Sequence, residues 1–243
     1  MSIADKLKII AENQPKVYEA GKEERDLKWW TNYQSPESTD FGSYMFAGKA
    51  WNKETFLPKF TVGNKRMCEG IFYQHNQTYP VYDLVEQLKK TGVTMDFSSA
   101  VNLTNAFNSA RISHLGVIDV SAVSSQYNSN GLFSSSYIET IDEVVFAEKT
   151  FDWHNNMFNG ATALVNLTAK GVLANTINFQ WCPLSPASMK SIISVLKDFT
   201  GTGNEYSKTI FFNDDCWAAL EEDSTAPDGG TWADYVDSLG WNT

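Results

Sequence analysis

Three stretches of the chain repeat with a period of about 25 residues, and this repeat constrains the fold more than any other feature. In each stretch an Asn is followed by Phe, then by a turn of small residues and two aliphatic residues three positions apart. A fixed period with fixed apolar positions predicts a solenoid, because each unit is too small to bury its own face alone. The predicted repeat core comprises Phe107, Ile112, Leu115, Phe133, Ile138, Ile141, Phe158, Leu164 and Leu167.

A period of this length, with an aliphatic strand in each unit, lies in the range of leucine-rich repeats. The sequence therefore predicts an α/β fold, a short leucine-rich-repeat solenoid preceded by a coiled-coil-like helix. The Phe residues are expected to stack as an internal column. Less regular units are expected to cap both ends, with helices over 79–91, 183–196 and 216–222, strands at 93–97, 177–179 and 210–212, and a docking helix near 232–241.

The first helix is predicted over residues 2–25. Its apolar positions Ile3, Leu7, Ile10 and Val17 follow the spacing of three and four residues that is typical of a coiled-coil seam. This pattern favours an oligomerisation bundle formed by several copies of the chain. A single amphipathic helix lying on its own domain is the alternative.

The changes in pattern divide the chain into four parts. Residues 1–34 are predicted to be oligomerisation and attachment helices, and 35–66 an irregular, aromatic-rich arm. Residues 67–222 are the predicted solenoid with helical caps, and 223–243 a C-terminal tail.

The charge balance excludes several classes of partner. The chain of 243 residues has 19 basic and 29 acidic side chains, a formal net charge of −10. Nucleic-acid binding and anionic membrane surfaces both require clustered Lys and Arg, so neither partner is expected. The first residues lack the pattern of a signal peptide, and Cys68, Cys182 and Cys216 have no metal-binding spacing. We expect a protein made in the cytoplasm with reduced thiols.

No motif in the sequence indicates catalysis, a metal site or a cofactor. The histidines lack metal-ligand spacing, and His114 is predicted to be a solvent-facing strand residue. Asp119 and Asp142 occupy different offsets in their repeats, so they are not predicted to form a metal ladder. Adjacent acidic residues near Cys216 fit helix capping and a solvated face. A glycosidase carboxylate pair stays open, without a motif to support it.

The segment 121–137 is unusually rich in Ser and Asn. It fits ordinary polar arcs of a repeat protein. The alternative is a recognition surface, in which Tyr, Ser and Asn supply adaptable contacts. Residues 153–156 would then belong to the same exposed edge.

Parts of the chain resemble known proteins of phages. The run Ile3-Ala4-Asp5-Lys6-Leu7, continued through Pro15-Lys16-Val17 to Lys22, resembles a segment of tail and appendage proteins from phages and prophages of Gram-positive gut bacteria, and 46–60 resembles the stretch that often follows. The repeats, and Phe179-Gln180-Trp181-Cys182-Pro183 with its following helix, resemble BspA-like leucine-rich repeats.

This resemblance implies a virion component without catalytic residues. We expect a structural, receptor-binding protein such as a tail fibre, tail tip or baseplate appendage, assembled in the host cytoplasm as a homotrimer. Its N-terminal helix would bind another virion protein, and its repeats a host-surface glycan or protein. The alternatives are a head fibre or decoration protein, a bacterial adhesin or interaction module using the same repeats, and a glycan hydrolase.

Overall fold

The computed structural model describes residues 61–62, 66–75, 81–91, 94–153 and 156–243. The predicted oligomerisation residues Ile3, Leu7, Ile10 and Val17 lie outside the described residues, as does almost all of the predicted arm. The described strands are β1 (Thr61–Val62), β2 (Tyr82–Asp83), β3 (Thr94–Met95), β4 (Ile112–Asp119), β5 (Thr140–Phe146), β6 (Asn166–Gly171), β7 (Ile177–Asn178), β8 (Lys208–Phe211) and β9 (Trp241–Asn242).

The described helices are short, and most of them lie toward the C-terminus. They are α1 (Leu84–Thr91), α2 (Pro186–Ile193), α3 (Asp214–Asp223) and α4 (Trp232–Ser238), with a 3-10 turn at Gln126–Ser129. Helix α1 begins later than the sequence predicts, because Tyr82 and Asp83 pair with β4 as a strand. Helix α2 lies within the predicted range 183–196 and begins at Pro186, with Ser185 as its N-cap.

All the described strands pair in parallel. They form a two-stranded sheet β1-β3, a four-stranded sheet β2-β4-β5-β6 and a three-stranded sheet β7-β8-β9. The central register joins Leu115 to Ile141 and Ile141 to Leu167, so equivalent repeat positions lie side by side. Parallel strands need long connections, and here each connection is the remainder of one repeat. The described chain is therefore an α/β structure.

Aromatic rings run through the core as one column. Phe107 stacks on Phe133 with ring centroids 5.9 Å apart, and Phe133 on Phe158 at 5.0 Å. Phe72 extends this column at one end, and Phe179 and Phe212 extend it at the other. All nine predicted core residues are buried.

Backbone hydrogen bonds join the arcs that carry these rings. The Phe107 N–H donates to the Leu132 carbonyl, and the Phe133 N–H donates to the Met157 carbonyl, each at 2.8 Å. Each arc thus uses its neighbour to satisfy its backbone polar groups, which a buried segment requires.

The C-terminal tail is continuous with the sheet beside it. Strand β9 pairs with β8, and Trp241 is fully buried, its indole N–H donating to the Lys197 carbonyl at 2.8 Å. In the tail helix α4, Val236 is fully buried and Trp232 is also buried. The sequence predicts the helix but not the strand, because two residues are too few for a periodic pattern.

Helix α2 closes one edge of the four-stranded sheet with its serine side chains. The Ser188 hydroxyl accepts a hydrogen bond from the Leu167 N–H and donates to the Val165 carbonyl, at 2.9 and 3.0 Å. The Ser191 hydroxyl accepts from the Ala169 N–H at 2.9 Å. Exposed strand edges invite pairing with other chains, so covering β6 in this way protects the sheet.

We expect Ser188→Ala to lower the free energy of unfolding by about 1–3 kcal/mol, because it leaves the buried Leu167 N–H without a partner, while the Val165 carbonyl keeps its hydrogen bond from the Ser185 N–H. Urea denaturation followed by circular dichroism measures this loss. Ser194→Ala is the control, since the exposed Ser194 hydroxyl bonds only one turn back, to the Ser191 carbonyl. Equal losses for the two variants would contradict the edge-capping role.

Candidate functional site

The outer face of the four-stranded sheet carries polar side chains in register. His114 pairs with Thr140, and Thr140 with Asn166. The Asn166 amide donates to the Thr140 hydroxyl, and the Ser185 hydroxyl donates to the Asn166 amide oxygen, both at 3.4 Å. The neighbouring positions Leu115, Ile141 and Leu167 point into the core, which leaves this polar row on the outside. We refer to it, with its exposed neighbours Val117, Tyr137 and Val165, as the sheet face.

His114 lies at one end of the sheet face between two carboxylates. Its Nδ1 lies 3.0 Å from Asp83 Oδ2, and its Nε2 lies 2.7 Å from Asp142 Oδ1. The prediction of a solvent-facing strand residue is incomplete, because the imidazole side chain is only 26 % exposed and both of its nitrogens are engaged. Neither carboxylate is predicted from the sequence as a partner of His114.

Asp83 has a second role at the start of helix α1. Its Oδ1 accepts a hydrogen bond from the Glu86 N–H at 2.8 Å, as an N-cap side chain does. The other oxygen faces His114. One carboxylate therefore joins the start of α1 to strand β4.

The two carboxylates change the pKa of the imidazole. Partial burial lowers the pKa of His114, but the hydrogen bonds and charges of Asp142 and Asp83 outweigh it and raise the pKa above its ordinary value. Partial burial raises the pKa of Asp83. The hydrogen bonds from the Glu86 N–H and from His114 lower the pKa by more, so it lies below the usual range. The arrangement thus favours the charged forms of His114 and Asp83.

This geometry stabilises charged side chains and does not suit nucleophilic catalysis. Both imidazole nitrogens face carboxylates, so neither is directed at a hydroxyl or thiol. The three cysteines are buried, and burial raises the pKa of both Cys182 and Cys216. Their thiols are therefore poor nucleophiles.

Metal binding has no support in the described part of the chain. No group of three or more His, Cys, Asp or Glu among those residues is placed to hold a metal ion. Asp119 is separate from the cluster of His114 and its carboxylates, and its Oδ1 accepts from the Ser121 N–H at 2.8 Å. None of the described helices is long and apolar enough to cross a membrane.

Large apolar side chains are exposed at several places on the arcs and on the sheet face. In the Ser- and Asn-rich arc, Tyr127 is 67 % exposed, and its backbone carbonyl accepts from the Thr104 hydroxyl at 2.9 Å. Beside the sheet, the Arg111 guanidinium lies 4.6 Å from the ring centroid of Tyr137, a cation–π contact. Trp181 is also exposed.

Under the alternative of a recognition surface, residues 153–156 belong to an exposed edge, and this is wrong for Trp153. This side chain is buried, and its ring packs edge-on against Phe146 and Phe151 at 5.7 and 5.8 Å. His154 and Asn155 lie outside the described residues. The polar residues that follow Trp153 in the sequence favour exposure, but its ring packs into the core.

Comparison with known proteins identifies no similar protein. No family model, curated protein or solved structure matches the chain.

Proposed function

We propose that this protein is a non-enzymatic, receptor-binding component of a phage or phage-like particle. In this proposal a leucine-rich-repeat solenoid displays the sheet face outward for contact with a host-surface glycan or protein. The N-terminal helices hold three copies together and attach them to another virion protein.

The sheet face is the observation that carries the binding part of this proposal. Its groups at Thr140 and Asn166 lie on the adjacent strands β5 and β6, and the Ser185 hydroxyl at the start of helix α2 continues the row. The exposed side chains of Tyr137 and Val165 lie just before strands β5 and β6. Binding sites commonly combine rigid apolar contacts with a few polar groups that set orientation.

The N-terminal sequence supports the assembly part. Its apolar seam is short, so isolated dimers or trimers of this segment would be marginal. Association would then depend on contacts elsewhere in the particle. Three copies of one weak site raise the overall binding strength without any new contact, provided that the sites engage together.

Binding to intact Gram-positive cells tests the receptor-binding role. We expect Tyr137→Ala combined with Asn166→Ala to weaken binding about tenfold or more, which corresponds to about 1.4 kcal/mol. Tyr206→Ala is the control, since Tyr206 is also exposed but lies outside the sheet face. Cells treated with protease distinguish a glycan receptor, which survives, from a protein receptor.

Three results would contradict the proposal. Unchanged cell binding in the double variant would show that the sheet face does not take part in receptor binding. A monomer in light scattering would contradict the trimer. Sugar release from cell walls, abolished by a single carboxylate substitution, would favour the alternative of a glycan hydrolase.

A further inference from the structure

The three charged groups at the end of the sheet face belong to three different elements. Asp83 ends β2 and caps α1, His114 lies on β4, and Asp142 lies on β5. Among the residues that the structure describes, the imidazole thus joins the α1 segment to β5, through Asp83 on one side and Asp142 on the other. Its protonation state determines whether both contacts can exist together.

A charged imidazole has an N–H at each nitrogen and can donate to both carboxylates at once. A neutral imidazole has one N–H and one lone pair. At 2.7 to 3.0 Å a lone pair facing a carboxylate oxygen is repelled, so one of the two contacts must break.

When the imidazole is neutral, Asp142 is the carboxylate that loses its contact with His114. Asp83 keeps its hydrogen bond from the Glu86 N–H, which holds its side chain in place. The Asp142 side chain is 49 % exposed and can be hydrated at little cost. We infer that Asp83, His114 and Asp142 form a proton-operated clamp, which ties the α1 segment to strand β5 when the imidazole is charged and releases Asp142 into the sheet face when it is neutral.

Other charged groups near the clamp do not replace its members. The charges of the described residues that act on His114 are Asp142 and Asp83. From β5, the neighbouring Glu143 is engaged by the Lys170 ammonium at 3.3 Å. From α1, Glu86 bonds to Asp83 through its backbone, and the side chain of Lys89 is exposed. From β2, the Tyr82 hydroxyl lies 2.8 Å from His75 Nε2.

The clamp links stability to pH with a definite sign. Because the pKa of His114 is raised in the folded chain, its stabilising contribution is complete below the ordinary histidine pKa of about 6.5 and is lost as the pH rises through the folded value. The lowered pKa of Asp83 acts in the acidic range, where stabilisation is lost as the pH falls through its folded value. The transition near neutral pH therefore reports His114. Loss of the proton also adds one net negative charge to the sheet face.

Imidazole NMR of the full chain, with hydrogen exchange at the same pH values, tests the clamp. We expect the His114 midpoint to lie above the ordinary histidine value and to move downward in Asp142→Asn. The protection factor of the Leu88 amide, in α1, should fall about two- to fivefold between pH 6 and 8, which is the scale of a partly exposed ion pair. This pH dependence should disappear in Asp142→Asn, while the Leu220 amide, in α3, should show none.

Glu143→Gln is the matched control, since it removes a carboxylate from the same strand that does not contact His114. It should leave the His114 midpoint and the pH dependence at Leu88 unchanged. His114→Gln tests the same clamp from its centre, and the half-exposed position of Asp142 keeps Asp142→Asn informative if that variant fails to fold. A His114 midpoint at or below the ordinary value, or one that Asp142→Asn does not move, would overturn the inference. The binding test on intact cells is independent of this result.

Discussion

Replacing Phe133 with Ala is expected to lower the free energy of unfolding by about 3–5 kcal/mol, the range for removing a buried Phe side chain. Phe133 is 1 % exposed and lies inside the aromatic column, with Phe107 on one side and Phe158 on the other. Its removal ends two ring contacts at once and leaves a cavity between repeats. Neighbouring arcs are joined by backbone hydrogen bonds, so they cannot move together to fill that cavity.

Urea denaturation monitored by far-UV circular dichroism measures this loss against the typical total stability of 5–15 kcal/mol. Phe211→Ala is the matched control, because Phe211 is exposed and its ring is not part of the column. The control should change the free energy of unfolding by less than about 1 kcal/mol. A loss below about 1.5 kcal/mol in Phe133→Ala would show that the column contributes little to folding.

The regular spacing of Phe107, Phe133 and Phe158 made the centre of this column predictable from sequence. The outer rings were harder to find because the connections between them differ in length. Helix α1 lies between Phe72 and Phe107, and helix α2 between Phe179 and Phe212, so the period of about 25 residues fails there. A periodic pattern reports units of equal length and loses register wherever a helix is inserted.

The cluster around His114 shows a second reason why the sequence did not predict every contact in the structure. Asp83 and Asp142 lie 31 and 28 residues from His114, each somewhat more than one repeat period away. An acidic residue at that distance on both sides of a His was a usable signal. It required the strand register, however, since a shift of one residue turns a side chain to the opposite face. The two-residue strand β2 has no pattern from which its register can be read.

Substituting Gly171 with Ala is expected to destabilise the chain by about 3 kcal/mol or more. Gly171 has a φ of +81°, a left-handed conformation that costs other residues about 1–2 kcal/mol. A Cβ added there would lie 2.0 Å from the Phe146 carbonyl oxygen. Phe146 is the residue paired with Gly171 in the register of β5 and β6, so the clash is with the backbone of the neighbouring strand. No side-chain rotation can relieve it, and the ends of the two strands must separate.

The glycine at 229 isolates the conformational part of this effect. Gly229 has a φ of +85°, almost the same as Gly171, and a Cβ there would meet no atom within 4 Å. Gly229→Ala should therefore lose only about 1–2 kcal/mol, and the difference between the two variants in urea denaturation gives the cost of separating the strands. Equal losses would mean that β5 and β6 part at Gly171 without penalty. A larger loss at Gly171 would show that close backbone approach at this end of the sheet holds adjacent repeats in register, a constraint that the aliphatic pattern alone does not impose.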